Sequence, residues 1–476
     1  TIRRSESFLR HHAMKKLLAI LFSSFVIPHS SFAAQPNVIF ILTDDLGWGD
    51  LRCYGHPYAK TPNLDKLAAD GTRFTKLHAT GVTCCPARTG LMTGKFPATF
   101  EKCPASFGFG NRVTITELLK KHGYATGHFG KWLIGLVTEP GTYGIDVIGS
   151  EEGGKRKQSE GTRGRDAPMY DQAIEFIEQH KGGPFYVNIW DHISHHPVNP
   201  SQAVLDAFGP LELDESKFTP AMRGKFETCK KLGGDPVAHL RAFLADVKSM
   251  DDEIVRLLVK LDELGLRENT LVVFSSDQGA APLRDTEDEP AKPNKKIKAP
   301  AGSDIDAIRL NAMGYAGPNF RGGKHTDLEG GVCVPFIARW PAKVPAGRVD
   351  EQSLISGADW LPSLCAIVGI PINAADFDGE DASKALLGGV QVRAKPLFWK
   401  TNAEKSDPTM LAENWKLHGS NRRNGEVTLY DLAADPGEAT NLAEKQPQVL
   451  KKLTHQLAAW TATLPQTYEK GEDKED

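Results

Sequence analysis

The stretch "PNVIFILTDD" (residues 36–45) has five consecutive apolar residues, Val38 to Leu42, and ends in two aspartates. A short, unbroken apolar run rich in β-branched residues reads as a strand buried on both faces. The pattern returns in "TLVVFSSDQG" (270–279), where Leu271–Phe274 lead into Asp277 and Gln278. In "PFYVNIWDHISHHP" (184–197) a strand over 185–190 runs into His192, His195 and His196. "GYATGHFGKW" (123–132) is a shorter strand with Lys131 at its end.

Helical patterns separate these strands. Met250, Ile254, Leu257, Leu258, Leu261 and Leu264 have the spacing of one helix face, and "TPNLDKLAADG" and "ITELLKKHGY" are shorter helices. Strand–helix alternation predicts an α/β fold, a large mixed but mostly parallel sheet sandwiched by helices. Ligand-binding groups then gather beyond the carboxyl ends of the strands, where all four strands above carry their polar residues. After residue 392, "PLFWKTN", "ENWKLHGS" and "VTLYDLAAD" read as short antiparallel strands, followed by the amphipathic helix "QVLKKLTHQLAAW". The expected organisation is a catalytic domain over 35–391, a smaller C-terminal α+β subdomain over 392–465 and a charged tail over 466–476. Two charged, Gly/Pro-rich stretches, 149–168 and 284–304, are expected as surface insertions rimming a site.

"MKKLLAILFSSFVIPHSSFAAQ", from Met14, has two lysines, an apolar run and small residues, the layout of a secretory signal over 14–34. The run from Leu17 to Pro28 is too short to span a bilayer. Residues 1–13 carry no targeting logic and are read as a non-native leader. The expectation is a periplasmic or secreted protein with no membrane association after cleavage. The 57 basic and 60 acidic residues, net charge −3, give no electrostatic case for nucleic acid. An anionic substrate therefore needs positive charge gathered locally.

Asp44, Asp45, Asp277 and Gln278 form a hard-oxygen set suited to Ca²⁺ or, less readily, Mg²⁺. Seven scattered cysteines show no zinc-ligand spacing. Within "TGVTCCPARTGLMTGKFP" (80–97), adjacent Cys84 and Cys85 fit a disulfide, half a metal site, packing or a nucleophile.

"CCPARTGLMTGK" also fits Cys-x-Pro-x-Arg followed by Thr-Gly, which resembles the signature of the formylglycine-dependent type I sulfatases, with Cys84 the matching residue. "PNVIFILTDDLGWGD", "FGKW", "SHHP", "SSDQG", "FRGGKHTDLEGGVCVPFIARWP" and "TLYDLAADPGEATNLA" resemble that family's other segments in order, from Pro36 to about Trp460. The nearest likeness is to bacterial N-acetylgalactosamine-6-sulfatases and arylsulfatases.

The resemblance implies an alkaline-phosphatase-like fold and hydrolysis of a sulfate monoester on a sulfated sugar or glycan. It implies that a maturation enzyme oxidises Cys84 to formylglycine, whose hydrate is nucleophile and metal ligand. A hydrate suits this chemistry because its second hydroxyl can collapse to the aldehyde and expel sulfate, where a thiolate would stay sulfonated. Asp44, Asp45, Asp277 and Gln278 would complete the metal shell, and Arg88 would hold the hydroxyl and neighbouring carboxylates. Lys131 and Lys324 would face the sulfate oxygens, with His195 and Lys324 flanking the ester oxygen. His195 is selected because it precedes the His196–Pro197 pair. Leu133 stands where the family usually has histidine, and Gln278 where asparagine or histidine is commoner. Two other readings fit the same scaffold. One is a phosphate or phosphonate monoester hydrolase, the other a sulfated-glycan binding protein with catalysis impaired at Leu133.

Overall fold

The computed structural model describes residues 35–135, 139–149, 161, 163–283, 310–400, 407–419 and 427–471. The proposed leader, the signal and the 284–304 stretch lie outside these residues, as does most of the 149–168 stretch. Strands β1 (Asn37–Thr43), β2 (Thr72–His78), β3 (Ala125–Gly130), β4 (Val147–Ile148), β5 (Phe185–Trp190), β6 (Thr270–Ser276), β7 (Cys333–Arg339), β8 (Arg348–Asp350) and β9 (Ile355–Ser356) form one sheet. Its order is β4-β3-β5-β1-β6-β7-β2-β8, with β9 also paired to β2. Only β7 runs against its neighbours β6 and β2; the remaining pairings are parallel.

The central strands are mostly apolar because each face is covered. Ile39, Ile41, Val187, Ile189, Val272 and Phe274 pack on one side with helices Ala167–His180 and Pro236–Glu263. The alternate residues Val38, Phe40, Leu42, Tyr186, Leu271 and Val273 pack on the other with helices Cys84–Thr93, Ile115–Lys121 and Trp360–Val368. Each such side chain contributes about 1.5–3 kcal/mol on leaving water. The mostly parallel, helix-sandwiched sheet read from the sequence is the observed one. The long helix begins at Pro236, well before the periodic stretch that announced it, because Leu240, Phe243, Leu244 and Val247 extend the same buried face.

A second sheet, β10 (Leu397–Trp399), β11 (Thr409–Ala412), β12 (Trp415–His418) and β13 (Thr428–Asp431), is antiparallel throughout. Helix Pro447–Ala462 packs on it through Leu453 and Leu457. Strand β11 escaped the sequence reading, as did β2.

Register explains the placement of the site. Thr43 pairs with Ser276, and Leu42 with Trp190, which pairs in turn with Gly130. The residues that follow, Asp44, Asp277, Asp191 and Lys131, must therefore leave one edge of the sheet together. Main-chain bonds from Asp277 N to Thr43 O (3.0 Å) and from Lys131 N to Trp190 O (2.9 Å) fix that exit.

Candidate active site

Cys84 is the first residue of helix Cys84–Thr93, and Pro86 lies inside its first turn, where a missing N–H costs nothing. The helix N-terminus favours negative charge beside residue 84. Gly90 lets the helix approach, since a Cβ there would lie 2.1 Å from Thr80 Oγ1.

Four polar groups converge on the buried sulfur. Cys84 Sγ lies 3.3 Å from Asp44 Oδ1, 3.2 Å from Lys131 Nζ, 3.3 Å from Gln278 Nε2 and 3.6 Å from Lys324 Nζ. Lys131 also pairs with Asp44 Oδ2. Lys324 Nζ lies 2.9 Å from Asp45 Oδ1, and Gln278 Nε2 donates to the same oxygen. Arg88 donates through Nε (2.9 Å) and Nη2 (2.8 Å) to Asp277 Oδ2, stands 3.6 Å from Asp44 Oδ2 and donates to Lys131 O. His195 Nε2 faces Asp45 Oδ2 at 3.7 Å, and its Nδ1 contacts His196 O at 2.6 Å.

Local backbone makes this possible. Asp45 adopts a left-handed φ of 64°, a conformation aspartate tolerates better than most residues, and its amide donates to Asp277 Oδ1 at 3.2 Å. Lys324 arrives on a loop whose Lys324 N bonds to Ala280 O at 2.9 Å. There "DQG" and "EGG" touch backbone to backbone, and a Cβ at Gly279 would lie 1.8 Å from Gly330 O.

The electrostatics follow from burial. Burial opposes ionisation of Asp44, yet Lys131, His195, Arg88 and Lys324 hold it well below the usual carboxylate range. Burial pushes Asp45 up against the pull of Lys324, and pushes Asp277 to about 6 with Asp44 adding to the effect. Burial, then Asp44, carries the Cys84 thiol well above its ordinary range, so as cysteine it is a protonated, poor nucleophile. Burial disfavours both ammonium groups, but Asp44 raises Lys131 and Asp45 raises Lys324. Burial lowers His195 well below its usual value.

The buried donor set could hold a metal ion. Ligand atoms of Asp44, Asp45, Cys84 and His195 all lie within 4.8 Å of one another. Gln278 Oε1 is buried without a hydrogen-bond partner, and rotating the amide by 180° would exchange it with Nε2 beside Asp45. Asp277 is engaged by Arg88 and the Asp45 amide. Three cations, Lys131, Arg88 and Lys324, stand against three carboxylates, Asp44, Asp45 and Asp277. A divalent ion would thus tip the pocket positive, as an anionic substrate requires.

A family model described as Sulfatase matches residues 36–370. The chain belongs to the sulfatase family. It is a sulfuric ester hydrolase. Human arylsulfatase A is 28% identical over 93% of this chain and 92% of its own. The N-acetylgalactosamine-6-O-sulfatase of Bacteroides thetaiotaomicron is 28% identical over 89% and 92%. Among solved structures, Ps i-CgsB in complex with k-i-k-neocarrahexaose superposes with a TM-score of 0.72, covering 92% of this chain and 96% of that one at 20% identity.

All nine candidate residues of this sulfatase thus meet in one pocket. Leu133 sits at a left-handed φ of 60° and packs against the apolar cluster, offering no polar group. His128 is no substitute, since its Nε2 lies 3.3 Å from Gly130 O and its ring stands edge-on to Trp132 and Trp190. His192 is engaged too, its Nδ1 lying 2.9 Å from Asp166 Oδ1. Sequence reasoning missed Arg165 and Asp166. The stretch holding them was expected at the surface, yet both are buried behind the histidine segment. The usable signal was "RDAP", a charged pair immediately before a proline-marked helix start.

Proposed function

We propose that this sulfatase is exported and hydrolyses a sulfate monoester on a sugar, with Cys84 in its formylglycine form as nucleophile. The observation that carries the reading is the convergence of Asp44, Lys131, Gln278 and Lys324 on Cys84 Sγ. Formylglycine, installed by a maturation enzyme, supplies a hydrated aldehyde hydroxyl at that position. Asp44, Asp45, Asp277, Gln278 and residue 84 would hold Ca²⁺, or Mg²⁺, which lowers the pKa of a bound hydroxyl and draws charge from the sulfate.

The side chains do the remaining work. Arg88 spreads its guanidinium over Asp277 and approaches Asp44, fixing both carboxylates, while Lys131, paired with Asp44 and beside residue 84, meets a sulfate oxygen. Lys131 and Lys324 stabilise charge on the transferring group in a site walled from water. His195 and Lys324 reach the ester oxygen and assist departure of the sugar alcohol. A sulfated sugar substrate is supported by the name of the N-acetylgalactosamine-6-O-sulfatase relative. Among the described residues no helix is long and apolar enough to cross a membrane. The C-terminal subdomain over 392–465 is proposed as a distinct unit carrying the second sheet.

Parallel assays with 4-nitrophenyl sulfate, 4-nitrophenyl phosphate and N-acetylgalactosamine 6-sulfate test this reading. Turnover of both sulfates is expected, and dominant phosphate turnover would replace it with the phosphohydrolase alternative.

A further inference from the structure

His195 sits on a loop with no secondary structure of its own, and something must hold it. One side of the loop is tied to the site, through Asp44 N to Ile193 O (3.0 Å) and Ser194 N to Asp44 O (2.7 Å). The other side rests on two buried residues, Arg165 and Asp166, just ahead of helix Ala167–His180. Arg165 donates through Nη2 to His192 O (2.8 Å) and His195 O (2.8 Å), and through Nη1 to Pro197 O (3.0 Å). Asp166 Oδ2 accepts from His192 N (2.9 Å) and Ile193 N (3.0 Å), while Oδ1 meets His192 Nδ1. Asp246, on helix Pro236–Glu263, lies 3.2 Å from Arg165 Nη2 and ties the assembly to the scaffold. The approach is close, because a Cβ at Gly164 would lie 2.3 Å from Ser249 Oγ.

We infer that Arg165 and Asp166 are positioning residues that hold His195 at the ester oxygen of the substrate. One guanidinium fork grips three carbonyls of the segment, and one carboxylate takes two consecutive amides and a ring nitrogen. The three bonds leave from two nitrogens held apart in one rigid plane, a geometry that the single ammonium nitrogen of lysine does not reproduce. The clamp acts on the segment's main chain and on the His192 ring, leaving His195 Nε2 to face the pocket. The inference rests on the proposed role of His195.

The test uses leaving-group dependence, which a general loss of folding does not alter. 4-Nitrophenol departs readily without help, whereas a sugar alcohol needs a donor at its oxygen. Mature enzyme and its H195A, R165M, R165K and D166N variants are assayed on 4-nitrophenyl sulfate and N-acetylgalactosamine 6-sulfate, with Tm measured in parallel. H195A sets the scale. The inference expects R165M and D166N to lose about 100-fold in kcat/KM on the sugar sulfate, since slight misplacement of a catalytic group costs that much. They should lose less than tenfold on the aryl sulfate, and R165K should resemble R165M. If H195A shows the selective loss but R165M and D166N lose both substrates equally, the clamp is structural only and the inference falls. If H195A itself shows no selectivity, the role of His195 falls and the inference with it. Should R165M fail to fold, D166N, which keeps the side-chain shape, decides alone.

Discussion

Thr43 and Ser276 are direct partners in neighbouring parallel strands, and this register sets Asp44 beside Asp277 at the sheet edge. Two buried carboxylates so placed repel each other, and Arg88 reaches both. Arg88→Met should leave Asp277 buried and unpaired, lowering stability by about 3–5 kcal/mol. Urea unfolding checks this, and a loss below 1 kcal/mol would mean that the carboxylates relax without the guanidinium.

Lys131 and Lys324 approach the same sulfur from opposite carboxylates, one paired with Asp44 and the other with Asp45. Substituting either with alanine should reduce kcat on aryl sulfate by about 10²–10³, the usual effect of removing a charge-stabilising donor. Steady-state kinetics read this directly.

Chelation should act on activity and stability together. Dialysis against EDTA is expected to abolish turnover and lower Tm, with Ca²⁺ restoring both. At a free cation concentration near 100 times Kd the linked stabilisation is about 2.7 kcal/mol. A chelated enzyme retaining full activity would remove the cation from the account.

A pH effect is expected from the joint between the two sheets, away from the site. His418 Nε2 lies 3.1 Å from Glu438 Oε1, and Lys416 Nζ, two residues earlier on β12, lies 2.8 Å from Glu329 Oε1. Burial opposes protonation of His418, but hydrogen bonds to Asp327 and Glu438 raise its pKa above the ordinary value near 6.5. The folded state therefore binds the proton more tightly than the unfolded one. This stabilisation is fully present below the unfolded pKa and is lost as pH rises through the raised folded value. H418Q should flatten the decline in urea-unfolding free energy above about pH 6.5.

The strands that build the site were legible because strands covered on both faces need uninterrupted apolar runs, and their polar ends then stand out. Asp44, Asp45, Asp277, Gln278, Lys131 and the histidine cluster could be placed because strand ends are local features, whereas the parts given to Cys84, Arg88, His195 and Lys324 came from the resemblance to sulfatase segments. Strand β2, "TRFTKLH", was hidden because Arg73 and Lys76 interrupt its apolar pattern near the rim of the sheet. Strand β11, "TMLA", lacks the aromatic residues that marked the other short strands, Phe398 and Trp399, Trp415 and Tyr430. Arg165 and Asp166 were read as surface because their neighbours in sequence are glycines and charges. What buries them is tertiary: Asp246 on a distant helix and the carbonyls of residues 192, 195 and 197.

The most direct test of the central claim is the mass of the peptide spanning residue 84, taken from active enzyme made in a host able to carry out the oxidation. The account predicts an aldehyde in place of the thiol, with activity proportional to the converted fraction. Fully active protein in which Cys84 is an unmodified thiol would contradict it.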